Sequence, residues 1–358
     1  MTVSYKKSGP GGGAYYTDCM RPDGTSRVDD YYSGSSKEPP GRWYVGPAED
    51  GSRSTGLGIA SGAAFVVTDE VDDNAAFAAL VDGYNPRTGQ AMVQNAGKHA
   101  RIAIHDWTCS APKSVSVAWS QADAELRAAI DSAQEHGARA FLDVLSVRSY
   151  SRRGKDGIVK VAAPLRGAIF DHGSSRENDP QKHSHCVAFN ATERMDGTTG
   201  ALETLELMRW QGAAASIYHA TLAWDLRHLG FRIERQENLF EIADVPDHVC
   251  LAFSHRRQQI VAAVRAEMLA RGLDPESVKW SRGLLQKATT ETRSAKNELT
   301  REQLLELWHQ RGAALGFTSV QVEALLIKEP VRELSRKELL EEAREAVNEL
   351  TENSAVFR

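Results

Sequence analysis

The chain predicts an α+β fold, and three observations predict it. Two short apolar runs, 166–170 leading to His172 and 183–189, flank a polar loop and read as neighbouring strands. Residues 121–145 place Leu126, Ala129, Ile130, Ala133, Ala140, Phe141 and Val144 at mostly three- and four-residue spacing, the pattern of an amphipathic helix lying on a sheet. From 246 onward the patterns are helical alone. With 358 residues, 41% of them hydrophobic and 25% charged, the chain can fill one large core or two modest ones.

In chain order, residues 1–56 are rich in Gly, Ser, Pro and Tyr and carry two tyrosine pairs, Tyr15-Tyr16 and Tyr31-Tyr32, with fourteen residues between them. Residues 74–81 read as a helix between glycine-containing loops whose spacing is no dinucleotide fingerprint. Residues 101–109 alternate as a strand carrying His105 and Asp106, followed by Ser110-Ala111-Pro112-Lys113-Ser114-Val115-Ser116 and an apolar run to Trp119. After the 121–145 helix, 146–163 reads as a hairpin turning at Gly154-Lys155-Asp156-Gly157. Arg152, Arg153 and Lys155 at its tip suit phosphate oxygens and plain solvent equally well. Residues 204–229 read as a long helix stopped by Gly230, 231–242 as a strand pair, and 246–271, 300–315 and 335–353 as helices.

Net charge is −5, which favours no nucleic-acid partner by itself. Its distribution is uneven: 139–182 holds nine Lys or Arg against five Asp or Glu, and 321–358 holds six against nine. Cys19, Cys109, Cys186 and Cys250 form no C-x-x-C pair, pointing to a reducing compartment without a disulfide framework. The polar, glycine-rich N-terminus reads as no signal peptide, and no run reaches membrane-spanning length, so a cytoplasmic protein without membrane insertion is expected.

The histidines are the chemical focus. Side chains alternate along a strand, so His183 and His185 share a face with Val187 and Phe189, and His172 can join them from the preceding strand. Such a trio is either a hydrogen-bonded cluster or three neutral imidazoles around a metal with open positions. Asp106 on a neighbouring strand has two tasks open to it. It can accept a hydrogen bond from the far nitrogen of a ligating histidine, or it can act as a general base.

The run His172-x-x-Ser175-Arg176-x-x-Asp179-Pro180-Gln181-x-His183-x-His185, with Val187 and Asn190 after it, resembles the three-histidine signature of MobF-type (TrwC/TraI-like) conjugative relaxases within the HUH endonucleases. The block Asp106-x-Thr108-x-Ser110-Ala111-Pro112-Lys113-Ser114-Val115-Ser116 is similar to a second signature of that family. The resemblance covers most of residues 1–316. It implies an antiparallel five-stranded palm-like sheet flanked by helices, the HUH relaxase fold, in a nicking domain at 1–316. A C-terminal helical fingers portion is implied at roughly 204–316, and a charged helical tail or linker toward a helicase part at 317–358. No G-x-x-x-x-G-K-[ST] loop is present, so no helicase motor is recognisable in the chain.

The implied activity is site- and strand-specific nicking of single-stranded DNA at a plasmid transfer origin, through a 5′-phosphotyrosyl intermediate that later rejoins DNA during conjugation. By the same resemblance Tyr15 is the main nucleophile, paired with Tyr16, and Tyr31 and Tyr32 are candidates for a second transfer. Asp106 assists, and His172, His183 and His185 hold a divalent metal. Mg or Mn is expected in use, while three nitrogens also suit Zn or Ni. Lys113, Arg152, Arg153 and Arg176 are the candidate DNA contacts. The implied partners are single-stranded DNA at the origin with an adjacent hairpin, relaxosome accessory proteins and a type IV secretion coupling protein. Translocation to a recipient cell with the DNA extends the same picture. Two other readings stay open, a rolling-circle replication initiator of the HUH type and a non-catalytic DNA- or metal-binding relative.

Overall fold

Alternation on five strands organises the molecule. The computed structural model describes residues 3–12, 16, 39–48, 50–52, 57, 60–65, 72–236, 239–277, 280–292, 299–327 and 341. Its first half runs β1 (Val3–Ser8), β2 (Arg42–Val45), α1 (Asp73–Asp82), β3 (Ile104–Ser110), α2 (Lys113–Gln121), α3 (Ala124–Val147), β4 (Tyr150–Arg153), β5 (Val159–Ala162), β6 (Arg166–Ser174) and β7 (Pro180–Phe189). There follow β8 (Thr192–Glu193), β9 (Thr199–Gly200), α4 (Thr204–His228), β10 (Ile233–Gln236) and β11 (Leu239–Ile242). Helices α5 (Asp247–Ala252), α6 (His255–Ala270), α7 (Arg282–Glu291), α8 (Arg301–Ala314) and α9 (Ser319–Ala324) complete it.

Strands β1, β3, β7, β6 and β2 pair in that order, every pair antiparallel, which is the five-stranded sheet the resemblance implied. Register decides what meets what. His172 stands opposite His183, Phe170 and Thr108 opposite His185, and Asp106 opposite Val187. All of these therefore project from one face, and the intervening residues from the other.

That first face packs on an aromatic layer of Trp43, Phe65, Phe77, Phe170 and Phe189 with Tyr16. The other face, with Trp107, Cys109, Cys186 and Ala188, lies under α2, α3 and α4 in a larger core. Helix α3 starts where Asp123 accepts a hydrogen bond from the Leu126 amide, satisfying one of the unpaired donors of the first turn. Helix α4 stops at Gly230 (φ 103°), as its sequence predicts. Gly173 answers to close packing instead: a Cβ there would meet the Trp119 ring at 2.4 Å, and the β6–β7 register shifts at the same point.

One sequence expectation is corrected. Residues 246–271 form two helices rather than one, because the Lys113 ammonium takes the Phe253 carbonyl and the Asp179 carboxylate takes the His255 amide at 2.7 Å. An acidic group from a distant loop thus caps a fresh helix start, a partner that local periodicity cannot reveal. The helix expected at 335–353 lies outside the described residues apart from Glu341.

Candidate active site

Among the described residues one group could hold a metal ion: His172, His183 and His185, whose ligand atoms all lie within 4.8 Å of one another. The three rings meet edge-on, with centroids 5.0–5.4 Å apart. Two of them are oriented from behind. The Nδ1 of His183 is 2.8 Å from the Gln181 carbonyl, and the Nδ1 of His185 is 3.0 Å from Asp106 Oδ1. Both acceptors place the proton on Nδ1 and point to Nε2 as the coordinating nitrogen. Burial, reinforced by the neighbouring His185, pushes the His183 pKa down to about 3, so this imidazole is neutral at physiological pH. Neutral imidazoles with fixed tautomers are a donor set that fits a borderline divalent metal.

Asp106 links this cluster to Tyr16. The Tyr16 hydroxyl donates to Asp106 Oδ2 at 2.7 Å and lies 3.2 Å from the Nδ1 of His185, while Thr108 Oγ1 stands 3.4 Å from the same nitrogen. The Tyr16 ring is buried and stacks on Phe170 at 4.6 Å between centroids. The structure therefore brings Tyr16, Asp106, His172, His183 and His185 together. Tyr15, Tyr31 and Tyr32 lie outside the described residues.

The candidate DNA contacts fare differently. Lys113 is turned inward, donating to the carbonyls of Pro180 (2.9 Å) and Phe253 (3.0 Å), and burial holds its pKa below the ordinary lysine range. It joins the start of β7 to the junction of α5 and α6, a different task from the phosphate contact expected of it. Arg152 and Arg153 sit half-exposed on β4, outside the five-stranded sheet, and are ion-paired with Glu203 and Asp196. Those carboxylates compete with any phosphate for the two guanidiniums. Arg176 stands half-buried in the β6–β7 turn, four residues after His172 and seven before His183.

Two contributors carried no functional reading in the sequence. Gln181 acts through its backbone carbonyl, which leaves no side-chain signal. Asp179, buried at 1% exposure, binds the His255 amide and ring and the Arg311 guanidinium at 2.7–3.1 Å, fixing the loop that leads into His183. Trp308 Nε1 adds a bond to the Asn178 carbonyl at 2.7 Å. Only the position of Asp179 within the histidine motif hinted at such a role.

Comparison with known proteins gives consistent relatives. A family model described as TrwC relaxase matches residues 10–315. Two proteins named multifunctional conjugation protein TraI, from Escherichia coli and from Escherichia coli strain K12, are 28% and 27% identical over 331 residues. The match covers 88% of this chain but 16% of each TraI, so the chain spans about a sixth of their length. Among solved structures, the conjugative relaxase TrwC in complex with oriT DNA, in a copper-bound form, superposes with a TM-score of 0.68 at 28% identity. TrwC with a 27-mer DNA comprising the recognition hairpin and the cleavage site gives 0.65 at 28%. Each comparison covers 88% of this chain and 99% of the other.

Proposed function

The chain belongs to the TrwC relaxase family, and on that premise we propose that it nicks and rejoins single-stranded DNA at a transfer origin through a tyrosine. The observation that carries the reading is the chain of contacts Tyr16–Asp106–His185, which ties the N-terminal tyrosine segment to a three-histidine cluster on one sheet face. A cluster of histidines alone would fit many metalloproteins. A tyrosine of an N-terminal pair, Tyr16, bonded to the carboxylate that also holds one of the histidines fits far fewer.

In this reading Tyr15 supplies the attacking phenol oxygen, and Tyr16, stacked on Phe170 and hydrogen-bonded to Asp106, is its anchored neighbour in sequence. The new bond joins Tyr15 Oη to phosphorus while the P–O3′ bond breaks, giving a 5′-phosphotyrosyl link and a free 3′-hydroxyl. An ordinary tyrosine has a pKa of about 10, so its proton needs an acceptor; Asp106, bonded to the adjoining Tyr16, is the carboxylate proposed to take it and return a proton to the departing 3′ oxygen. The bond energy is retained in the phosphodiester, so the reverse attack by a 3′-hydroxyl rejoins the strand. His172, His183 and His185 would hold a divalent metal whose charge, when bound, polarises the scissile phosphate. Which metal is used, Mg or Mn in the cell or Zn or Ni at three nitrogens, is a matter of supply as well as affinity.

The same reading assigns 1–316 to the nicking unit, with helices from about 204 forming its fingers portion, and 317–358 to a charged helical tail or linker. Single-stranded origin DNA with an adjacent hairpin is the proposed substrate, and relaxosome proteins and a secretion coupling protein are the proposed partners. Among the described residues no helix is long and apolar enough to cross a membrane. Tyr15→Phe tests the nucleophile. It is expected to abolish nicking of an origin oligonucleotide and leave affinity for that oligonucleotide within about threefold. Wild-type nicking rates in the variant would remove Tyr15 from the mechanism.

A further inference from the structure

The outward face of α4 carries a feature that chemistry on the other side of the sheet leaves unused. Trp210, Ala213, Ile217, Ala220 and Trp224 follow one another in steps of three, four, three and four residues, and all five are exposed. The large members are conspicuous, with Trp210 at 36%, Ile217 at 43% and Trp224 at 47% exposure. The inward face of the helix already has its own core set, Leu207, Ala214, Tyr218, Leu222 and Leu226. Alternating three- and four-residue steps are what one helix presents to another along a shared seam, and a contiguous exposed apolar stripe marks an interaction surface.

We propose that this stripe is the docking surface for α4 of a second copy of the chain, laid antiparallel. The residue sizes choose the occupant and its direction. Along the seam the bulky residues (Trp210, Ile217, Trp224) hold one position of the repeat and the alanines (Ala213, Ala220) hold the other. Reversing one helix exchanges the two positions. With Ile217 across from the second copy's Ala220, Trp224 falls across from Ala213, so bulk meets gap through the four central layers of the seam. The same register brings Trp210 of one helix against Arg227 of the other, a cation facing an indole ring. A parallel pairing would instead stack tryptophan on tryptophan and alanine on alanine, and would align the two helix dipoles.

Two further observations favour this occupant. Both indoles are braced within the chain itself, with the Arg148 guanidinium 4.7 Å over the Trp210 ring and the His228 ring 4.2 Å from that of Trp224. Bracing lowers the ordering cost of association. In addition, α4 packs on the sheet face opposite the histidines, so pairing there leaves both histidine clusters accessible. The seam spans roughly 21 Å of helix, well below the length needed for a standard interface of about 800 Å² per partner. The dimer is therefore weak, with a dissociation constant in the micromolar range, roughly 1–100 µM.

Sedimentation velocity on the full chain across that range tests it. The wild type is expected to pass from monomer to dimer as concentration rises. Ile217→Glu, at an exposed position, is expected to stay monomeric with an unchanged thermal midpoint. Ile217→Ala and Ala220→Ile are each expected to weaken the dimer by about tenfold, and the double variant to recover to within about threefold, because the swap restores bulk against gap. A wild type that is monomeric throughout, or an Ile217→Glu chain as dimeric as the wild type, overturns the proposal. A double variant no better than the singles overturns the antiparallel register.

Discussion

The two faces of the central sheet are built from the same strands, and their contrast shows what separates a buried polar residue from a chemical one. On β7 the residues Lys182, Ser184, Cys186 and Ala188 face the helices, while His183, His185, Val187 and Phe189 face the aromatic layer. Polar groups on the helix face are spent on one another. Lys182 pairs with Asp131 at 2.6 Å, Ser184 sits between Gln134 and Asp171, and Tyr218 donates to the same Gln134 at 2.9 Å. Burial holds the Asp171 pKa above the usual carboxylate range, and nothing further is asked of it. On the histidine face the Nδ1 groups of His183 and His185 bond to acceptors behind them, and the ligand atoms of His172, His183 and His185 lie within 4.8 Å of one another. Buried polarity stabilises in the first case and organises a ligand site in the second.

Breaking each face separately gives the largest effects. His185→Ala removes both a nitrogen proposed to coordinate the metal and the partner of Asp106. Metal stoichiometry by calorimetry is expected to fall to zero and nicking by about a thousandfold or more, with little change in melting temperature. Trp107→Ala, on the other face, deletes a fully buried indole and its bond to Gln211. Chemical denaturation is expected to show a loss of about 3–5 kcal/mol, while the remaining folded chain still binds metal. If either variant failed in the manner of the other, the division of labour between the faces would be wrong.

Acid sharpens the comparison at smaller amplitude. Burial lowers His183 on the histidine face to about 3 and His105 on the helix face to about 4, against an ordinary 6.5. Both folded values lie below the unfolded one, so the unfolded chain takes up these protons first. Their stabilisation is complete above about pH 6.5 and drains away as pH falls toward 4. Asp171, raised by burial, acts in the opposite sense, so acidification through that window removes less stability than the two histidines alone would. Urea titrations at several pH values check this. Added metal should restore the His183 share and leave the His105 share unchanged.

Strand parity made the histidine face legible in the sequence. One-residue alternation on 166–172 and 183–189 placed three histidines together, while Asp106 stands out through its family-like block on a neighbouring strand. What stayed hidden depended on partners far along the chain. Lys113 reads as a free cation until Pro180 and Phe253 are seen around it, and the helix break at 253–254 has its cause in Asp179. Arg152 and Arg153 likewise look available to phosphate until Glu203 and Asp196 are placed beside them. Local pattern encodes which face a residue takes, whereas the spending of its charge is settled by tertiary neighbours.

The most direct test of the central claim, a metal-assisted tyrosine nuclease on the histidine face, is denaturing electrophoresis after incubation with labelled single-stranded origin DNA. The account predicts a protein–DNA band that survives SDS in the presence of Mn or Mg and disappears with a chelator. DNA cut without any such band, or a band of equal strength in the chelated sample, would contradict it.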